Sequence, residues 1–407
     1  MTVAGRGALH GRRILELADA SGAYCGKLFA DMGADVIKIE RPGGDPSRHV
    51  PPFWRNEVGE GTSFAFLYAN TSKRAVTLDL RRPEGHDLFS QLACSADLVV
   101  ETFQPGHLDA LGIGYEELQR LNPRLVLTSI TAFGQTGPQR HYRGSDLVAS
   151  ALGGALYVTG EEADPPVVLA GSQAHVSASS LAAVSSLVAL LHASRTGRGQ
   201  HVDVSIQEAV TAVTHICGVG KWLDDGIVPK RRGTGLFASV PSGAYPCNDG
   251  LVYLMVNRPH HWKALAEWIH EETGNEEVLD PMFEGPSSRR QEHRELIDLF
   301  VCELTQRFAA EQVYHEGQRR HIAFTPVSTA AAVVRDPQLE VRGYFVDVEH
   351  ADGRRLRYPG APYRHALTPW ALRGPAPRVG QHNKEVYEGE LGLSAARLGA
   401  LRDDGVV

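Results

Sequence analysis

Two side chains that could do chemistry lie in the middle of the chain. His175 lies in the segment AGSQAHVSASS, and Asp146 in RGSDLVASALGG upstream of it. An imidazole titrates near neutrality and can take up a proton, whereas a carboxylate can act as a nucleophile toward an acyl group. No carboxylate occurs between Asp164 and the basic glycine turn TGRGQ, so any anionic nucleophile must come from elsewhere. Basic residues follow or precede β-type runs. Arg41 comes directly after DVIKIE, and Lys73 with Arg74 comes directly before AVTLD. Guanidinium and ammonium groups so placed could meet phosphates, or could be solvated surface charges. The loop RRGTGLF, with Gly233 and Gly235, reads from composition as a glycine-bearing turn between units.

Short β-branched runs alternate with helical stretches through the first half and would position these residues. RILEL (13–17), DVIKI (35–39), AVTLD (75–79), LVVE (98–101), LVLTSI (125–130) and HVDVS (201–205) read as strands. Residues 24–32 and 83–94 read as helices between them, and 177–194, SASSLAAVSSLVALLHAS, as a long helix rich in small residues. That alternation predicts an α/β fold on a largely parallel, doubly wound sheet. Glycine, proline and basic residues between about 224 and 243 mark a crossing into a second unit, and the chain beyond 343 turns extended and proline-rich.

The 407 residues exceed one typical domain, and 43% hydrophobic with 22% charged residues is ordinary globular composition. A net charge of −7 gives no reason to expect nucleic acid or an anionic membrane as a partner. The opening MTVAGRGALHGRR lacks the apolar core of a secretory signal, and no wholly apolar run approaches the roughly 20 residues needed to cross a bilayer, so a cytoplasmic location is expected. Cys25, Cys94, Cys217, Cys247 and Cys302 are scattered and odd in number, which suggests reduced thiols and neither a disulfide frame nor a metal site. His215 and the pair His260–His261 have no metal-type spacing.

Six blocks in order over nearly the whole chain carry a resemblance: ADMGADVIKIERPGGDPSR, NTSKRAVTLDLRRPEG, ADLVVETFQPG, LNPRLVLTSITAFGQTGP, RTGRGQHVDVSIQEA and VGQHNKEV. The chain resembles the class III CoA-transferase family, which also contains carnitine and bile-acid CoA-transferases and α-methylacyl-CoA racemases. The resemblance implies a Rossmann-like large domain built from both chain ends, with an inserted small α+β domain. The boundaries expected are 1–223, 224–330 and 331–407. It also implies an interlocked dimer, a homodimer or a heterodimer with a homologous subunit. The substrates implied are an acyl-CoA and a carboxylic acid, with no metal. Arg41, Lys73 and Arg74 then fall where the family grips the phosphates of coenzyme A, and Thr102, Phe103 and Pro105 in the loop that contacts its nucleotide and pantetheine arm. Gly233 and Gly235 match the glycine loop over the reactive carboxylate. Gln135, Thr136 and Gln173 stand near the expected thioester, and Tyr142, Tyr157, Phe237 and Tyr245 could line an acyl cavity or belong to the core.

The chain departs from its relatives at one position. The family's nucleophilic aspartate, which carries first an acyl group and then CoA, falls at His175 when counted back from TGRGQ. An imidazole can accept an acyl group but has no carbonyl with which to form a thioester to CoA. Three readings follow: CoA transfer through another carboxylate such as Asp146; proton transfer at the α-carbon of an acyl-CoA by His175 with Asp146; or a non-catalytic CoA-binding subunit that pairs with an active homologue. The racemases carry their own histidine beside an aspartate where this chain has Ser145 beside Asp146, so their pair is not reproduced. A binding protein without catalysis is the outermost alternative.

Overall fold

The fold rests on strands that are buried on both faces. In the computed structural model, β1 (Arg13–Leu17), β2 (Asp35–Glu40), β3 (Arg74–Thr77), β4 (Leu98–Glu101), β5 (Val126–Thr131) and β6 (His201–Ser205) form one parallel sheet in the order β3-β2-β1-β4-β5-β6. The structure describes residues 7–407 except 60, 216–217 and 237–238. Cys217, Phe237 and the first six residues of the opening segment therefore lie outside the described residues. The strands expected from sequence appear within one or two residues of their expected bounds. Every residue of β4 and β5 is buried, which is why they read as continuous β-branched runs and not as alternating ones.

Successive side chains feed opposite layers. Leu15, Leu17, Ile37, Val76, Val99 and Leu127 belong to one core cluster, and Ile14, Val36, Leu98, Val100, Val126 and Ile130 to the other. The connecting segments supply α1 (Ala23–Asp31), α2 (Phe64–Ala69), α3 (Pro83–Cys94), α4 (His107–Ala110), α5 (Tyr115–Leu121), α6 (Asp146–Leu152), α7 (Ala155–Val158), α8 (Gln173–Thr196) and α9 (Ile206–Val213). The first layer is completed by the C-terminal chain, through Val386, Tyr387, Leu398 and Leu401. Tyr387 donates its hydroxyl to Thr77 O at 2.8 Å. The second layer contains α8, whose Ala174, Ala178, Ala182, Ala183, Ala189 and Ala193 lie against the sheet. Small side chains let this helix approach the strands closely, as the composition of the segment suggested.

By length and composition α8 could cross a bilayer, a property the core helix of a globular protein shares. The register of the helix differs from the expectation in one consequential way. It begins at Gln173, four residues before Ser177, so His175 sits inside its first turn.

The chain divides into two compact units. Unit one holds the parallel sheet and comprises the chain to Ala155, Leu169–Asp224 and Glu340–Val407. Unit two comprises Leu156–Val168 and Asp225–Leu339. It has its own antiparallel sheet of β7 (Ser242–Pro246), β8 (Leu251–Met255) and β9 (Ala323–Pro326). Trp262, Trp268, Phe283, Phe300 and Phe324 form its core.

Candidate active site

In a doubly wound sheet, ligands bind beyond the carboxyl ends of the strands where the strand order reverses. Here that point lies between β1 and β4, and the loops that leave those strands are tied together. The Asp19 backbone N–H donates to Thr102 Oγ1 at 3.0 Å. The Asp19 carboxylate is held by Ser21, which donates its backbone N–H at 2.8 Å and its hydroxyl at 2.6 Å. Gly22 permits this approach, since a Cβ there would meet the Thr102 methyl at 2.6 Å. From α8, Ser179 donates its hydroxyl to Ser21 O at 3.0 Å. One short loop therefore joins the segment Thr102–Pro105 to the N-terminal half of α8.

The first turn of α8 is built unusually. Its N-cap residue Ser172 is left-handed, with φ 53°, and its side chain caps nothing. The free amide of His175 donates instead to Asp146 Oδ1, 3.1 Å away. Asp146 opens α6, which Ser145 caps by accepting the Val148 N–H at 3.3 Å. A carboxylate at a helix N-terminus satisfies an orphan donor and complements the helix dipole. This is the geometry of a cap supplied from another element. It leaves His175 half-buried. Burial pulls the imidazole below its ordinary pKa, and the carboxylates of Asp146 and Asp19 pull it partly back. The ring is therefore neutral at pH 7, able to take a proton and unable to carry CoA as a thioester.

The expected phosphate ligands separate into two groups. Arg41 follows the carboxyl end of β2, on the same edge as Asp19 and Thr102, and is exposed. Its Nε donates to Gly44 O at 3.2 Å, and its terminal nitrogens have no protein partner among the described residues. Thr102, Phe103 and Pro105 are half-buried on that edge. The Phe103 ring packs on the sheet's first core layer and lies 4.6 Å from His107, centroid to centroid.

Lys73 and Arg74 do not join them. The Lys73 side chain is fully buried, and its ammonium donates to Glu16 Oε2 (2.6 Å), Ala23 O (2.8 Å) and Asn70 Oδ1 (2.9 Å). Burial lowers it to about 8, against the pull of Glu16. Three partners consume its three protons, leaving none for a phosphate. Arg74 is the first residue of β3, at the amino edge of the sheet, away from Asp19 and Thr102. There it grips the Asp35 carboxylate through Nε (2.9 Å) and Nη2 (2.6 Å), with Glu385 and Glu390 on Nη1. Strand position was legible for both, but their side chains are engaged by partners within the fold.

The remaining candidates are scattered. Gln173 Nε2 donates to Ala170 O at 3.0 Å and shapes the turn before α8. The Gln135 backbone N–H donates to Asp203, its side-chain nitrogen is buried without a partner, and Thr136 is exposed. Tyr142 and Tyr157 are exposed, while Tyr245 is buried in the core of unit two and donates its hydroxyl to Asp298. Within unit two, Gly233 has φ 58° and donates its N–H to Gly160 O at 2.9 Å. Its left-handed φ favours glycine, whereas the nearest atoms a Cβ there would meet belong to the movable end of the Glu161 side chain. Gly235 donates its N–H to Arg232 O at 3.0 Å. Among the described residues no group of three or more His, Cys, Asp or Glu could hold a metal. Asp19 was not singled out from sequence, although its place just past β1 at the reversal point is the signal that would have found it.

Comparison with known proteins establishes the family. Residues 9–383 match the profile of CoA-transferase family III. The chain is 38% identical over 405 residues, covering 97% of each chain, to a Thauera aromatica protein named succinyl-CoA:(R)-benzylsuccinate CoA-transferase subunit BbsE. It is 33% identical over 398 residues, again 97% of each, to a succinyl-CoA–D-citramalate CoA-transferase of Chloroflexus aurantiacus. The crystal structure of a CAIB/BAIF family protein from Brucella suis superposes with a TM-score of 0.82 at 28% identity, covering 94% of this chain and 99% of that one. The chain belongs to CoA-transferase family III.

Proposed function

We propose that this chain is the non-nucleophilic subunit of a heteromeric CoA-transferase that moves CoA between an acyl-CoA and a carboxylic acid. The observation that carries the reading is the first turn of α8: it presents His175 where the family resemblance implies an aspartate, while the neighbouring carboxylate, Asp146, is engaged on the His175 amide as a cap. A neutral imidazole cannot pass through the acyl anhydride and CoA thioester of the family's reaction. The T. aromatica relative is itself named as a subunit, which supports a division of labour between unlike chains.

A second feature fits a partner. α8 leaves Leu181, Val184, Val188 and Leu191 exposed, spaced by three, four and three residues and so aligned on one face. In this reading Arg41 and the loop Thr102–Pro105 bind coenzyme A, and an interlocked homologous subunit supplies the aspartate. The succinyl-CoA named for the relatives is the donor to try first.

Transfer through this chain's own carboxylates is the competing reading, with Asp146 or Asp19 as the acyl acceptor. Proton transfer by His175 is the third. The test is to assay the chain alone, and co-expressed with an aspartate-bearing homologue, using succinyl-CoA and a panel of free acids in deuterated water. The proposal expects CoA binding without transfer by the chain alone, and transfer by the pair. Transfer by the chain alone, or α-deuterium incorporation that the His175→Gln variant loses, would sink it.

A further inference from the structure

Glu101 ends β4 directly beneath the Thr102–Pro105 loop and is 4% exposed. A buried carboxyl needs partners, and those of Glu101 form a line. Its Oε2 accepts the Phe103 backbone N–H, and Ser129 of β5 lies opposite it in register, where its hydroxyl favours the charged carboxyl. Ser129, 1% exposed, lies with Oγ 2.8 Å from His201 Nε2. His201 opens β6, stacks on Tyr115 at 5.6 Å and reaches solvent. A line of polar side chains, His201, Ser129 and Glu101, thus leads from the surface to the acceptor that holds the Phe103 amide.

We propose that Glu101 is a positioning residue for the Thr102–Pro105 loop, and that the Ser129–His201 line makes its hold on that loop, and hence on coenzyme A, proton-linked. The inference rests on the reading of that loop as part of the CoA site. The geometry permits a balanced relay. With Glu101 as carboxylate, Ser129 donates to it and accepts from Nε2–H of a neutral His201. A proton from water binds Nδ1, the Nε2 proton passes to the Ser129 oxygen, and the Ser129 proton passes to Glu101. The end state is a neutral carboxyl, an intact hydroxyl and an imidazole carrying its proton on Nδ1. One proton enters and no other bond changes.

The surroundings favour a titration near neutrality. Beside Glu101, β1 places the uncharged Leu17 in register, α4 brings Asp109, and β6 brings Asp203 together with His201. Burial pushes the Glu101 carboxyl up to about 7, reinforced by Asp109 and Asp203 and opposed by the bonds from Ser129 and the Phe103 amide. A neutral carboxyl is a weaker acceptor than a carboxylate, so acidification should loosen the loop.

Two readouts test this on the full chain, each compared between wild type and Glu101→Gln from pH 6 to pH 8.5. The first is hydrogen–deuterium exchange of the 99–108 segment without ligand, and the second is affinity for coenzyme A. Because coenzyme A has its own ionisations, only the difference between wild type and variant counts. Between pH 8 and pH 6 the wild type should lose about fivefold more affinity than Glu101→Gln, the difference between a charge-assisted and a neutral acceptor. Ser129→Ala, which removes a bond favouring the carboxylate, should move the midpoint of both readouts upward. Proton-linked exchange with a flat affinity difference would keep the latch but remove the loop from the CoA site, and so overturn the link to coenzyme A. Coincident pH profiles for wild type and Glu101→Gln in both readouts would overturn the inference as a whole.

Discussion

Replacing Lys73 with methionine separates a structural ion pair from a phosphate ligand. Methionine keeps much of the volume and removes the charge, so Glu16 Oε2, Ala23 O and Asn70 Oδ1 each lose a donor at 2.6–2.9 Å. Breaking a buried ion pair from one side costs about 3–5 kcal/mol, because the other charge is stranded. Here the stranding is incomplete: Lys38 Nζ remains 3.3 Å from Glu16 Oε1, which places the expected loss at the lower end, about 3 kcal/mol. Glu16→Gln with Lys73→Met should recover part of that loss, since a neutral pair leaves no unpaired charge. Urea unfolding of the wild type, both single variants and the double variant measures the cycle, and affinity for coenzyme A is measured at a temperature where all four are folded. Lys73→Met should bind within about twofold of wild type. If it kept wild-type stability and lost about tenfold or more in affinity, the structural account of Lys73 would be wrong.

Arg41→Ala should weaken coenzyme A binding about tenfold, the worth of a charge-assisted contact to phosphate, with stability changed by less than about 0.5 kcal/mol; calorimetric titration and thermal melts check both halves. Asp146→Asn should cost about 1 kcal/mol by weakening the cap on the first turn of α8, visible as a lowered melting temperature, and an unchanged melt would remove the capping argument. The His175 resonance should titrate below pH 6.5 because burial disfavours its charged form. As pH falls below 6.5 the unfolded chain takes up that proton first, so the wild type should lose stability relative to His175→Gln until the folded midpoint is passed.

The strands were legible because a parallel sheet covered on both sides demands β-branched runs, and nothing local competes with that signal. The start of α8 was not legible, because its cap is non-local: Asp146 reaches over from α6 while Ser172 sits in a left-handed conformation and caps nothing. Only with that start known does His175 move from a preceding loop into the first turn of a helix. Lys73 and Arg74 show a different limit. Their sequence position beside a strand was clear, but not whether the side chains reached solvent, a neighbouring carboxylate or the interior. Glu16, 57 residues away, and Glu385 and Glu390 at the other end of the chain decided it. Arg41 and the Thr102–Pro105 loop follow β2 and β4 at the carboxyl edge, a position that strand order makes legible and where doubly wound sheets bind ligands.

The most direct test of the central claim is intact-protein and peptide mass spectrometry of the chain alone after incubation with succinyl-CoA, using hydroxylamine cleavage and borohydride reduction to mark any acyl anhydride or aspartyl-CoA thioester. The account predicts an unmodified chain and, when the co-expressed pair is incubated in the same way, adducts only on the aspartate of the homologous subunit. A CoA or acyl adduct mapped to Asp146 or Asp19 of this chain would contradict it.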